Sequence, residues 1–241
     1  MKSFNINFQT TPLQKPKDIP ATDIVRLQCE HTTINNLFGN GWLEGAVVHM
    51  TGYRGCGKTT LWLQILESFS KNYTTAFLSN EESLDQLKMK CDRLKVENVD
   101  IANMNQLEDI LEVIKTHKIV VVDCFQGIST DLKEKDLITK LISQAKESKC
   151  CLAIIVQMTK NLREKGASEI GHLCDQSIKL MSGVPSYFQM NNPVILDGST
   201  KNRNGKTGYL VLDHGAAGFD FQNPWEMDLV PDLSKLAVKK V

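Results

Sequence analysis

The chain has 241 residues, 41% hydrophobic and 23% charged, and its 28 basic and 28 acidic side chains cancel to a formal net charge of zero. That length suits one large α/β domain better than two small ones. Balanced charge gives no overall signal for nucleic acid, so such a contact has to come from local loops, and no apolar run is long enough to span a membrane.

Residues 1–28 are polar, carry Pro12, Pro16 and Pro20, and have no clear periodicity. They read as an arm, either loose or docked on a neighbouring subunit. No apolar signal-peptide core is visible. The cysteines are Cys29, Cys56, Cys91, Cys124, Cys150, Cys151 and Cys174, and none forms a Cys-x-x-Cys pair. Several lie in apolar runs, where a buried reduced thiol is the usual state, which implies a cytosolic compartment. Thr32 to Phe38 reads as a short helix capped by Thr33, and Gly39, Gly41 and Gly45 punctuate the approach to the next strand.

Ala46 to Met50 is a short buried strand, and Thr60 to Ser68 reads as a helix. Between them, Gly52-Tyr53-Arg54-Gly55-Cys56-Gly57-Lys58-Thr59, continuing to Thr60, fits the P-loop template Gly-x4-Gly-Lys-Ser/Thr at every fixed position. Glycines let the backbone curl with its N–H groups around a phosphate, and the following helix adds partial positive charge. Lys58 is placed to meet the β- and γ-phosphates, and Thr59 to offer a hydroxyl to Mg²⁺.

Further strand–helix alternation follows: strands at Thr74–Leu78, Val99–Ala102, Ile119–Asp123 and Cys150–Val156, with helices at Ser83–Leu94, Asn105–Lys115 and Lys133–Ser148. This implies βαβ units and a parallel sheet with helices on both faces. After residue 176 come short strands at Ser177–Met181, Val194–Gly198 and Gly208–Leu212, so the sheet is expected to finish antiparallel. Asn204-Gly205 predicts a tight hairpin tip within Lys201–Lys206. The core is set at residues 29–218, with 219–241 a tail of little periodicity.

Several polar residues close apolar strands. Asp123 is in the position from which P-loop enzymes hold Mg²⁺, or else it caps a loop. Glu81 and Glu82 follow the second strand, where one could activate water, and where the helix dipole also favours acids. Gln157 could bond a γ-phosphate or simply cap its strand. Lys201 and Arg203 belong either to a solvated turn or to an arginine-finger pair reaching a neighbour's nucleotide. The absence of an Asn-Lys-x-Asp segment favours ATP over GTP. The basic loop around 160–170 and the aromatic loop 183–192, with Tyr187 and Phe188, would suit single-stranded DNA, or are ordinary surface loops.

Taken together, these pieces resemble a RecA-type ATPase, and most closely the core of the bacterial RadA (Sms) recombination helicases, over residues 30–215. Leu78-Ser79-Asn80-Glu81-Glu82-Ser83 resembles that family's Ser-Gly-Glu-Glu-Ser region, and Asp123-Cys124-Phe125-Gln126 its Asp-Ser-Ile-Gln segment. Met158-Thr159-Lys160, His172-Leu173-Cys174-Asp175 and Lys201-Asn202-Arg203-Asn204-Gly205 are similar to further motifs in the same order. Asn204 departs from the family's phenylalanine, and both it and Gln157 look more like DnaB-type replicative helicases. The family's zinc ribbon and protease-like domain have no counterpart, which implies a stripped motor core of phage or mobile-element type.

The resemblance implies a RecA-like core and a DNA-dependent ATPase, with possible helicase activity, serving recombination, repair or replication. It implies Glu81 as the catalytic glutamate, Asp123 and Thr59 at Mg²⁺, and Gln157 as sensor. Lys201 and Arg203 would act on the next subunit's ATP, in a ring, with six subunits expected, or a filament. The rival expectations are a KaiC-like regulatory ATPase that gates protein partners without DNA, and a weakly hydrolysing DNA-binding accessory.

Overall fold

Alternate residues of Ile119-Val120-Val121-Val122 point to opposite faces of a sheet, and all four are fully buried. Such a strand needs helices on both sides. The computed structural model describes residues 13–18, 24–157, 170–182, 193–205 and 207–227. In chain order the elements are β1 (Arg26–Leu27), α1 (Thr32–Leu37), β2 (Trp42–Leu43), β3 (Val47–Gly52), α2 (Lys58–Ser70), β4 (Thr75–Ser79), α3 (Leu84–Leu94), β5 (Asp100–Asn103) and α4 (Leu107–Thr116). There follow β6 (Ile119–Asp123), α5 (Glu134–Glu147), β7 (Cys151–Gln157), α6 (Ile170–Leu173), β8 (Gln176–Ser182), β9 (Pro193–Asn202), β10 (Tyr209–Gly215), β11 (Gly218–Phe219) and β12 (Trp225–Met227).

The main sheet runs β11-β10-β9-β8-β3-β7-β6-β4-β5, with β12 beside β10. Neighbours from β8 to β5 are parallel, and β9 to β12 are antiparallel, as the sequence implies. One core face joins Val48, Met50, Phe77 and Val121 to Leu61, Trp62, Ile65 and Phe69 of α2. The other joins Val47, Leu78, Val120 and Val122 to Ile110 and Ile114 of α4 and to Ile138 and Leu141 of α5. Phe38 stacks on Trp42 at 4.4 Å, and both pack near Trp62 and Phe69, which ties α1 and β2 to α2.

Two local expectations are corrected. α1 starts after His31, and the Thr33 hydroxyl donates to the Phe221 carbonyl at 3.0 Å instead of capping the helix. Outside residues 29–218, β1 pairs with β2, and β11 and β12 pair with β10. Finally, β9 and β10 are antiparallel neighbours, but their last rung is Gly198 N–H to the Gly208 carbonyl, so Asn204-Gly205 is no two-residue turn. Beyond that rung β9 continues alone along β8, pairing Lys201 with Ser177 and Asn202 with Gln176. The tip then folds against Gly39 in the α1–β2 segment, and Arg26 of β1 donates to the Asn204 carbonyl at 2.7 Å.

This path fixes where the tip lies. β8 is parallel to β3, with Gly52 beside Leu180 and Val48 beside Gln176. The tip after Asn202 therefore leaves the sheet at the end opposite Gly52. Four residues of strand separate those levels, about 13 Å.

Candidate nucleotide-binding site

β3 delivers Gly52 to the carboxyl edge of the sheet, and α2 begins at Lys58. Gly57, just before the helix, has φ of 97°, and a Cβ there would lie 3.0 Å from the Phe219 ring and 3.2 Å from His214. The loop is thus held beneath the β10–β11 turn, which Gln64 of α2 grips by accepting the Phe219 N–H at 2.8 Å. Lys58 Nζ donates to the carbonyls of Gly52 and Tyr53 at 2.9 and 2.8 Å. Cys56 is buried beneath the loop, so only its main chain faces a ligand there. Tyr53 is 39% exposed and points outward.

Gly52, Arg54, Gly55, Gly57, Lys58, Thr59 and Thr60 share one cavity of about 650 Å³ with Glu81, Asp123 and Gln157. The topology explains the meeting: β3, β4, β6 and β7 are parallel neighbours, so their carboxyl ends open on one edge, where ligands bind in open α/β sheets. The Thr59 hydroxyl donates to Asp123 Oδ2 at 3.0 Å and lies 3.4 Å from Glu82 Oε1. Glu82 also pairs with Lys90. Glu81 Oε1 accepts from the Cys124 thiol at 3.0 Å and from the Gln157 side-chain amide.

Asp123 is 5% exposed, and its carboxyl is raised from the ordinary 3.8 to about 6. Burial is the main cause, reinforced by Glu81 and Glu82 and opposed by Thr59 and Lys58. Hard oxygen donors around an under-compensated carboxylate suit Mg²⁺, which typically takes one or two carboxylates and completes its shell with waters and phosphate oxygens. Among the described residues no cluster of three His, Cys, Asp or Glu side chains is placed to hold a metal by itself. The residues present therefore fit a cation that arrives with a phosphate.

The raised value has a thermodynamic consequence. The folded chain holds this proton more tightly than the unfolded chain, so the stabilisation is complete below about 3.8 and lost as pH rises through about 6. Above that, ionised Asp123 costs about 3 kcal/mol in the ligand-free fold. Asp123→Asn should therefore stabilise the nucleotide-free, divalent-free protein at pH 8 by up to about 3 kcal/mol in denaturant titrations. The advantage should shrink at pH 4.5, and an equal advantage at both pH values would remove the burial argument.

Lys201 and Arg203 are not in this cavity. Lys201 Nζ donates to the carbonyls of Gly171, at 3.0 Å, and His172. Arg203 meets Asp175 Oδ1 at 3.3 Å and the His172 carbonyl at 3.4 Å. Burial and the neighbouring guanidinium pull the Lys201 ammonium below its ordinary value. The loops 160–170 and 183–192 lie outside the described residues, apart from Ile170, which opens α6 and is buried.

Sequence reasoning gave no role to Lys90, Arg93 or His214, all of which line the cavity. Lys90 and Arg93 are three apart on α3, so the spacing could have found their shared face. Arg93 donates to the Ala216 carbonyl at 2.8 Å, closing the cavity on that side. His214, stacked on Phe219 at 4.3 Å, is held below its ordinary value by burial and by Arg93, and had no sequence signal.

Comparisons with known proteins bear on this fold. No protein-family model matches the chain. It is similar to the DNA repair protein RadA of Rickettsia bellii (strain RML369-C), 29% identical over 229 residues, covering 87% of this chain and 49% of that one. The RadA of Aquifex aeolicus (strain VF5) is 24% identical over 212 residues, covering 80% and 46%. The chain spans about half the length of the curated relatives it matches. Among solved structures it superposes on the flagellar accessory protein FlaH from Methanocaldococcus jannaschii with a TM-score of 0.66 at 11% identity. A KaiC-like protein from Pyrococcus horikoshii OT3 gives 0.65 at 18%. Each match covers 82% of this chain and 98% of the other. The fold is RecA-like. Within that fold the cavity lies at the P-loop edge of the sheet, and Lys201 and Arg203 lie at the far end. No helix among the described residues is long and apolar enough to cross a membrane.

Proposed function

We propose that the chain is a DNA-dependent ATPase of the RecA/RadA type, acting on single-stranded DNA in recombination, repair or replication. The observation that carries the ATPase reading is the convergence of Lys58, Thr59, Glu81 and Asp123 on one cavity around the loop. ATP would lay its phosphates along the loop N–H groups, and Lys58 would exchange its loop carbonyls for phosphate oxygens. Thr59 and Asp123 would hold Mg²⁺, which supplies charge neutralisation at the phosphates when bound. Glu81 would accept a proton from water as its oxygen bonds the γ-phosphorus. The bond from that phosphorus to the β–γ bridging oxygen breaks, and ADP leaves with the electron pair. Gln157, whose amide reaches Glu81 Oε1, would sense the γ-phosphate.

Lys201 lies about 10 Å along the sheet from its own loop, and Arg203 follows it in the tip, so neither reaches its own nucleotide and both are available to a neighbouring subunit's. That supports an assembly with ATP between subunits, as a ring or a filament. The similarity to proteins named DNA repair protein RadA supports DNA as the effector. A second reading, a regulatory ATPase that gates protein partners, is favoured by the zero net charge and by the likeness to the KaiC-like fold.

Steady-state ATP hydrolysis with and without single-stranded DNA, at low and moderate salt, separates the two. The expected result is at least about a fivefold stimulation that weakens as salt rises. An unchanged rate, with no DNA bound in the presence of ATP, would shift the assignment to the regulatory reading.

A further inference from the structure

We infer that Cys124 is a positioning residue for Glu81, with its thiol holding the carboxylate in line for the attacking water. The inference rests on the reading of Glu81 as the base of ATP hydrolysis.

Two donors reach the same oxygen, Glu81 Oε1: the Cys124 thiol at 3.0 Å and the Gln157 amide. They differ in freedom. Gln157 stands at the open end of β7 and is partly exposed, so it can turn toward a γ-phosphate when one is present. Cys124 is 2% exposed. Its main chain is clamped on both sides by one side chain: its N–H donates to Asn80 Oδ1 at 3.1 Å, and its carbonyl accepts from Asn80 Nδ2 at 2.8 Å. Asn80 is itself wedged against Gly127, where a Cβ would fall 2.0 Å from Oδ1. The backbone that carries the thiol is thus held whatever Gln157 does, and Glu81 Oε1 is the nearer acceptor for the thiol, which lies 3.8 Å from Asn80 Oδ1.

The chemistry suits that task. A thiol is a weak donor. It fixes the direction of the carboxylate through Oε1, the oxygen that both donors share. The Ser79 hydroxyl completes the support by accepting the Glu81 N–H at 3.2 Å.

The test compares Cys124→Ala and Cys124→Ser with the parent in ATP turnover and in affinity for a non-hydrolysable ATP analogue. The alanine variant should lose about ten- to thirtyfold in kcat with analogue affinity unchanged. The serine variant, which keeps a donor, should recover to within about threefold of the parent. Adding Cys124→Ala to Glu81→Gln should cost nothing more, because the thiol would then have no base to orient.

Equal turnover in the alanine variant and the parent would overturn the inference. So would parallel losses in kcat and affinity, a serine variant no better than alanine, or a further loss in the double variant. Glu81→Gln measured alone keeps the two failures apart. If it hydrolyses ATP like the parent, the reading of Glu81 has failed. If it is inactive while Cys124→Ala is normal, only the positioning role has failed.

Discussion

Lys58→Ala should lower kcat/KM for ATP by at least about a hundredfold, the range expected when a charged donor is removed from a phosphate or oxyanion site. In the ligand-free chain Lys58 Nζ holds the carbonyls of Gly52 and Tyr53, which closes the loop around its own ammonium. ATP binding is then an exchange of partners: two neutral carbonyls are given up for charged phosphate oxygens, so the ammonium's bonds gain a second ionised partner. The loop conformation has a separate support in the packing of Gly57 under Phe219 and His214. The substitution should therefore spare the fold, which circular dichroism and thermal melting would check. Unimpaired hydrolysis by a folded Lys58→Ala protein would move the site away from this loop.

Glu81→Gln should reduce turnover about a hundred- to ten-thousandfold while ATP still binds, because the amide keeps the shape and loses the base. Arg203→Ala should also be slow, for a different reason: it would remove the charge offered to a neighbour. Mixing the two inactive proteins distinguishes these roles. In a head-to-tail assembly each site would join one subunit's Glu81 to the next subunit's Arg203. An equal mixture creates some sites, about a quarter, in which both partners are intact. Turnover in the mixture well above either protein alone is the expected result. A mixture no better than its components, in a confirmed mixed assembly, would remove the trans role of Arg203.

The parallel half of the fold was legible because its signals are local and agree with one another. Ile119 to Asp123 is β-branched and ends in a carboxylate, and Ser83 with Gln86 forms the capping box that opens α3. Strand ends on a common edge follow from parallel pairing, which is why Glu81, Asp123 and Gln157 could be gathered around the loop from sequence alone.

The antiparallel half was less legible. Asn204-Gly205 carries the chemistry of a tight turn, yet Arg26 and the α1–β2 segment hold it in a broad tip, a tertiary contact with a partner 178 residues away. β11 and β12 are two and three residues long, too short for periodicity to show, and they exist because β10 offers both an edge. Cys124 illustrates the same limit within the site. Its place after Asp123 is plain in the sequence, but its contact with Glu81 spans 43 residues and depends on the Asn80 clamp.

The seven cysteines also give the protein a clock. Each is a free thiol, and each is buried. A thiol reagent can reach such a group only during an excursion that exposes it, so its labelling rate reports how often that region opens. The sites are spread through the structure: Cys56 beneath the loop, Cys91 on α3, Cys150 and Cys151 at the start of β7, and Cys174 after α6. Without any engineered probe, the chain can thus time the breathing of its phosphate loop against that of its central strands. A ligand that binds only the closed loop would slow Cys56 by the same factor by which it depletes the open state.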